Sequence, residues 1–432
     1  MKKLTTILAA ALTLATSSVL AVNPVPAPKQ SVPVLLKNAT VHAVVTEPAI
    51  QDVLLVDGKI AAMGTNLTAP AGAQVEDLTG KHVYPGLIAL INQLGLIEVE
   101  AVRATRDDRE TSATNPDLQV QVAFNADSAV IPTIRSNGFS HSLIYPDGSL
   151  ITGRSALMQL DGWNWQDALV QANVGLHVNW PRMGLQTGWW VRDSAEKQQE
   201  RQREQLEQLQ SYFSQAQAYY LAEQAGLNRG RDSRWHAMLA LFEGKLPLFV
   251  HADDPRQMRQ AISLAKQYKV RLVIVGGRDS WRMADELAAN NVDVIYTAPY
   301  GLPTRTDEAY DQAFSVPGVL QKAGVRFALS LDGFWDTRNL VFAAGHVTRY
   351  GLEPAQALRA LTLDAAQIAG VADRLGSIEV GKSASLVVSE GDIFDYRGHN
   401  IMQLWIDGRN VDLNNKHKQL HQRYQQRYQA AN

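Results

Sequence analysis

LPLFVHAD (residues 246–253), RLVIVGG (271–277), DVIYTAP (293–299) and RFALSLD (326–332) are four short apolar runs of one build, separated by helical stretches at 255–268, 281–290 and 316–323. Strand-length apolar runs alternating with helices mark repeated βα units and a parallel sheet. Upstream, HVYPGLIAL (82–90), GFSHSLIYP (138–146), LITGRSALMQL (150–160) and VGLHVNW (174–180) bring the count of such runs to eight. Eight is the number that closes a TIM (β/α)8 barrel. Two further helical stretches, 339–350 and 354–368, follow the last strand.

The ends of the chain read differently. VPVLLKNATVHAVV and DVLLVDGKIAAMG near the start, and GSIEVGKSASLVV and IMQLWIDGRNVDL near the end, alternate as short strands, with Asp57 and Gly58 and then Asp407 and Gly408 as hairpin turns. Residues 32–83 and 376–413 are therefore expected to form one small composite β-sandwich beside an α/β barrel at 84–375. A Gln- and charge-rich stretch at 193–226 reads as a helical insertion packed through Leu206, Leu209, Tyr212 and Phe213, since its heptads do not persist. The polar tail at 414–432 reads as a surface helix, and the Pro-rich leader at 22–31, VNPVPAPKQS, as a short tether.

Composition removes several classes of function. With 41 Lys and Arg against 43 Asp and Glu, the 432 residues carry a net charge of −2, which gives no basic surplus for a phosphate backbone, so no nucleic-acid partner is expected. The absence of cysteine excludes disulfides, thiolate metal sites and a cysteine nucleophile. Residues 1–21, MKKLTTILAAALTLATSSVLA, combine Lys2 and Lys3, an apolar stretch and the small residues Val19 and Ala21, the pattern of a cleaved signal peptide. Its removal would take the net charge to −4. The protein is thus expected to be exported, to the bacterial periplasm or beyond, and not embedded in a membrane.

In a barrel of this type the chemistry sits where the strands end. His251 and Asp253 close the fifth run, Asp332 closes the eighth, and His177 lies in the fourth. Just past the first, EVEAVRATRDDRE presents Arg103 and Arg106, which could hold a substrate carboxylate through an arginine fork or serve only as a salt-bridged loop. No GxGxxG, P-loop or GxSxG elbow accompanies these strands.

The hairpin before GKHVYPGLIALINQLGL, then PLFVHAD, then ALSLDG, and above all the closing run GLEPAQALRALTLDAAQIAGVADRLGSIEVGKSASLVV (351–388) resemble the amidohydrolase superfamily, most closely its imidazolonepropionase-like branch. The resemblance covers nearly all of the chain after the leader. It implies a barrel with a composite β-sandwich, hydrolysis of carbon–nitrogen bonds other than ordinary peptide bonds, and a divalent metal, zinc foremost. It places a metal ligand at His251 and a ligand and general base at Asp332. The departures are as specific as the match. Where the resemblance calls for a His-x-His pair, Pro85-Gly86-Leu87-Ile88-Ala89-Leu90-Ile91-Asn92-Gln93 supplies Ile91 and Gln93, and Gly276 stands at the strand-six histidine position. His251 and Asp332, joined by His177 or Gln93 if geometry allows, could therefore hold at most one weak ion, because zinc wants three protein donors and water. The expected substrate is a small amide or acylated amino acid, with Gln93, Arg103 and Arg106 as candidate contacts. The competing expectation is an inactive barrel that binds a ligand or pairs with an active relative; a homo-oligomer is the other assembly the resemblance suggests.

Overall fold

The computed structural model describes residues 24–227 and 230–429, so the signal sequence expected at 1–21 and the first two leader residues lie outside it. The N-terminal strands are β1 (Val34–Val41), β2 (Ala49–Val56), β3 (Lys59–Gly64), β4 (Gln74–Asp77) and β5 (His82–Pro85). The middle of the chain contributes β6 (Leu87–Asn92), β7 (Phe139–Ile144), β8 (Ile151–Arg154), β9 (Ala156–Gln159), β10 (Leu169–Gln171), β11 (Leu176–Asn179), β12 (Leu248–Ala252), β13 (Leu272–Gly276), β14 (Asp293–Tyr296) and β15 (Phe327–Leu329). The C-terminal strands are β16 (Leu386–Ser389), β17 (Ile401–Ile406) and β18 (Arg409–Val411).

Both ends join in one eight-stranded sheet, ordered β18-β17-β16-β5-β1-β2-β3 with β4 alongside β1. At the β2/β3 and β17/β18 turns, Asp57 and Gly58, and Asp407 and Gly408, all have positive φ, as a two-residue type I′ turn requires. The sheet curls until its β3 edge returns to the segment before β16, where Ile60 N–H donates to Lys382 O and Ala384 N–H to Gly58 O. Leu36, Val53, Leu55, Ile60, Val83, Leu386 and Trp405 fill the hollow it encloses.

The middle strands form a four-stranded sheet, β10-β9-β7-β6, and a six-stranded sheet, β15-β14-β13-β12-β11-β8. β6 and β7 are parallel, as are β11 through β15. Eight parallel strands is not what the chain builds. The stretch 151–159 runs against its neighbours, β8 antiparallel to β11 and β9 antiparallel to β7, and so bridges the two sheets. Between β6 and β15 no ladder is formed; instead Ser330 Oγ donates to Leu90 O at 2.6 Å. Ile88, Leu90, Leu143, Leu157, Phe249, Val273, Val275, Ile295 and Ala328 converge in one apolar interior from seven strands.

The helices cover the outside of these sheets. Pro255–Tyr268 begins at a capping box, where Asp254 and Gln257 satisfy each other's backbone N–H groups, and buries Met258, Ala261, Ile262 and Ala265. In the insertion, Ala195–Gln224 is capped by Ser194 and buries Leu209, Tyr212, Phe213 and Ala216. The tail helix Lys416–Gln429 buries nothing. No helix among the described residues is long and apolar enough to cross a membrane.

The described part of the leader does not hang free. Ala27 N–H donates to Asp161 Oδ2 at 3.0 Å, Arg409 donates to Ala27 O, Gln30 accepts from Gly58 N–H, and Gln30 Nε2 donates to Leu55 O. Asp161, fully buried, also pairs with Arg135 at 2.5 Å and Arg409 at 2.8 Å.

Candidate functional site

Parallel strands deliver their C-terminal ends to a common edge, so residues far apart in sequence meet there. His177 lies in β11 and His251 in β12, neighbours in the same sheet, and Nδ1 of one stands 2.9 Å from Nε2 of the other, a hydrogen bond with one shared proton. Tyr145, the first residue beyond β7, stacks on both rings at 5.2 and 5.1 Å between centroids. His177 is wholly buried and its Nε2 has no partner. Burial lowers His251 to about 4, and burial followed by the His251 neighbour holds His177 well below the ordinary value. Both rings are therefore neutral at neutral pH. Burial, reinforced by Asp147, Asp332 and Asp108, raises the Tyr145 phenol, which stays protonated.

A pH dependence of stability follows from these rings. An unfolded histidine takes its proton near pH 6.5 while His251 resists until about 4, so its contribution is whole above pH 6.5 and drains as pH falls toward 4. Half-buried His42 and buried His141, likewise lowered to about 4, act in the same direction. The urea midpoint should therefore fall between pH about 7 and about 5 and stay flat above pH about 7, and His251→Gln should flatten the fall. A midpoint independent of pH over that range would contradict neutral buried rings.

Asp332, past the end of β15, and Asp253, past the end of β12, are both raised mainly by burial; the Thr297 hydroxyl partly offsets this for Asp332, and the Arg278 backbone N–H does so for Asp253. Solvent reaches both carboxyls although protein surrounds them. Such groups can hold or take a proton near a bound substrate.

The donor set does not fit a metal centre. Among the described residues no group of three or more His, Asp or Glu side chains stands where one ion could be held. The trio of His251, Asp332 and His177 falls short because the two rings spend facing nitrogens on each other. Ile91 is buried in the apolar interior, Gly276 offers no side chain, and Gln93 makes no side-chain hydrogen bond that would aim it at an ion. The arginine fork also takes another part. Arg106 donates through Nε and Nη2 to the buried Asp108, which Arg109 joins on its way to Asp147, so Arg106 is spent within its loop. Arg103 stands exposed in a single turn of 3-10 helix. Sequence reading missed Tyr145 and Thr297; each is the first residue beyond a strand, the one local signal that could have drawn attention to them.

Fold and site together define a mixed α/β protein whose polar groups gather where parallel strands end. Residues 250–411 match the model of the amidohydrolase family. An amidohydrolase of Thermotoga maritima superposes with a TM-score of 0.77 at 25% identity, covering 88% of this chain and 99% of that one. An adenosine deaminase of Xanthomonas campestris with bound zinc superposes at 0.51 with 15% identity, covering 93% and 99%. A curated relative, the amidohydrolase tasK of Hapsidospora irregularis, is 30% identical over 28% of this chain, and that match spans only 13% of the relative's length. These matches liken the chain to the amidohydrolase superfamily. Its structural relatives imply a TIM-barrel-like fold of mixed α/β content.

Proposed function

We propose that the mature protein is an exported hydrolase, periplasmic or secreted, that cleaves a carbon–nitrogen bond other than an ordinary peptide bond in a small amide, cyclic amide or acylated amino acid. The observation that carries this reading is Asp332: a carboxyl raised by burial yet open to solvent, held by Thr297 at the end of the last strand of an amidohydrolase-like chain. A carboxylate so placed is a stronger base than one in water and can take a proton from an attacking water molecule. In this reading β6 and β15 complete a barrel across the Ser330 contact, and the curled sheet is its companion domain.

One observation favours a second reading, a barrel that binds a ligand or pairs with an active relative without turnover: the donor set among the described residues fits no ion. The test is a chromatographic screen of N-acyl amino acids, cyclic amides and aryl amides with the purified mature chain. Release of amine and acid, or ring opening of a cyclic amide to its amino acid, supports the hydrolase. No release from any, with binding of the same compounds intact, overturns it in favour of the second reading.

A further inference from the structure

The loop that leaves β11 is tied down along its backbone, yet several of its side chains are left exposed. Trp180 N–H donates to His251 O at 3.1 Å. One amide, that of Gln257, then joins the loop to the end of β12. Its Nε2 donates to Trp180 O and Pro181 O at 3.1 Å each, and its Oε1 accepts from Asp253 N–H at 3.1 Å and Asp254 N–H at 3.0 Å. Arg182, the next residue, therefore leaves the strand edge beside Asp253. Further on, Gln198 of the insertion helix holds the loop at two points, accepting from Gln186 N–H at 2.8 Å and donating to Gln186 O at 3.2 Å and Asp193 O at 3.1 Å.

Loop and helix enclose a cleft of about 510 Å³ whose charge is one-sided: Arg182, Arg192 and Arg201 line it against a single acid, Asp193. That acid is already paired, with Arg201 at 2.5 Å and Lys197 at 3.0 Å. Arg182 and Arg192 make no hydrogen bond or ion pair among the described residues. Two unpaired cations beside an acid already spent attract an anion. Trp190 stands on another wall of the cleft, 63% exposed although its ring is held. Trp189 meets it edge-on at 5.9 Å between centroids, and Gly188 lies so close that a Cβ there would stand 2.7 Å from Cζ2 and Cη2 of the ring. A large ring that is held without being covered offers its face to another aromatic group.

We propose that this cleft is the specificity subsite of the centre at the strand ends, taking the free carboxylate of an N-acyl aromatic amino acid on Arg182 and its aromatic side chain on Trp190. Naming that ligand as a substrate rests on the hydrolase reading above. The chemistry suits the position. In an N-acyl amino acid a single carbon separates the carboxylate from the amide nitrogen, so a carboxylate held by Arg182 keeps the scissile bond at the edge where Asp253 and Asp332 lie. A guanidinium meets a carboxylate through parallel N–H donors and a full charge, neither of which an ester matches. Arg192 adds to the positive potential that draws the anion in.

Binding is measured by calorimetry in the Asp332→Asn background, so that turnover does not intrude, with N-acetylphenylalanine, its methyl ester and N-acetylalanine. The acid is expected to bind at least about 10-fold tighter than the ester. Arg182→Ala should remove that preference, weakening the acid at least about 10-fold and leaving the ester unchanged. Trp190→Ala should weaken N-acetylphenylalanine and leave N-acetylalanine unchanged. Both side chains are exposed, so the urea midpoints of the variants should match the parent and show the fold intact. Acid and ester that bind alike or not at all, or an Arg182→Ala variant that keeps the preference, overturn the proposal. Amine release from the same compounds by the wild-type protein is followed in parallel. Its absence with the binding pattern intact overturns the hydrolase reading and supports the cleft as a site for the acid. Release that persists while the binding pattern fails overturns the cleft alone.

Discussion

Asp161→Ala is expected to destabilise the fold by about 3–5 kcal/mol, read as a lowered urea midpoint. Its carboxylate is fully buried and gathers two arginines and one backbone N–H, from Arg135, Arg409 and Ala27. Arg135 is itself 3% exposed, and its Nε and Nη2 have no partner, so every contact of that guanidinium runs through Nη1 to Asp161 and Leu160 O. Removing the acid strands a buried cation. A buried charge left unpaired costs far more than the same pair contributes when intact. The change should also release the leader from the curled sheet, since Ala27 loses one of its two ties. Faster proteolysis within residues 24–31 of the variant would register that release. An unchanged midpoint would mean that the pair is solvated in solution.

Asp332→Asn is expected to lower the rate of C–N hydrolysis by about 100-fold to 10,000-fold, the range for removing a positioned general base. Stability should hold or rise slightly. The raised pKa of Asp332 means that the fold disfavours its ionised form, and the amide has no charge to desolvate. Activity and stability therefore move independently, which separates the loss of a proton acceptor from the loss of a fold. Equal rates for the two proteins would remove Asp332 from the chemistry.

Much of the architecture was legible because strand-length apolar runs and turn residues are local signals. LFVHA and LVIVG read as strands without reference to anything distant, and Asp57 with Gly58 specify their turn alone. Strand direction is not local. LITGRSALMQL has the same apolar content as its neighbours, yet it runs antiparallel and divides at Ser155 between two sheets, a matter of partners that periodicity does not encode. The anchorage of the leader is equally non-local: its prolines argue against regular structure, and none forms over the described leader residues, but its tie to the fold depends on Asp161, 134 positions away from Ala27.

The site was legible to the extent that strand ends predict positions. That rule points to His251, Asp253 and Asp332, which lie at or just past the ends of β12 and β15, whereas His177 lies within β11 and the hydrogen bond that commits it to His251 appears only when β11 pairs with β12. Arg106 illustrates the limit of reading charge runs. Its fork suits a substrate carboxylate as well as it suits Asp108, and the fold provides the nearer acid.

The most direct measurement is the appearance of a free amino group, released from an N-acyl amino acid or formed by ring opening of a cyclic amide, by mature protein stripped with chelator, before and after zinc is restored. The account predicts turnover by the stripped protein and no gain on adding zinc. Turnover that appears only with zinc, with about one ion retained per chain, would contradict it.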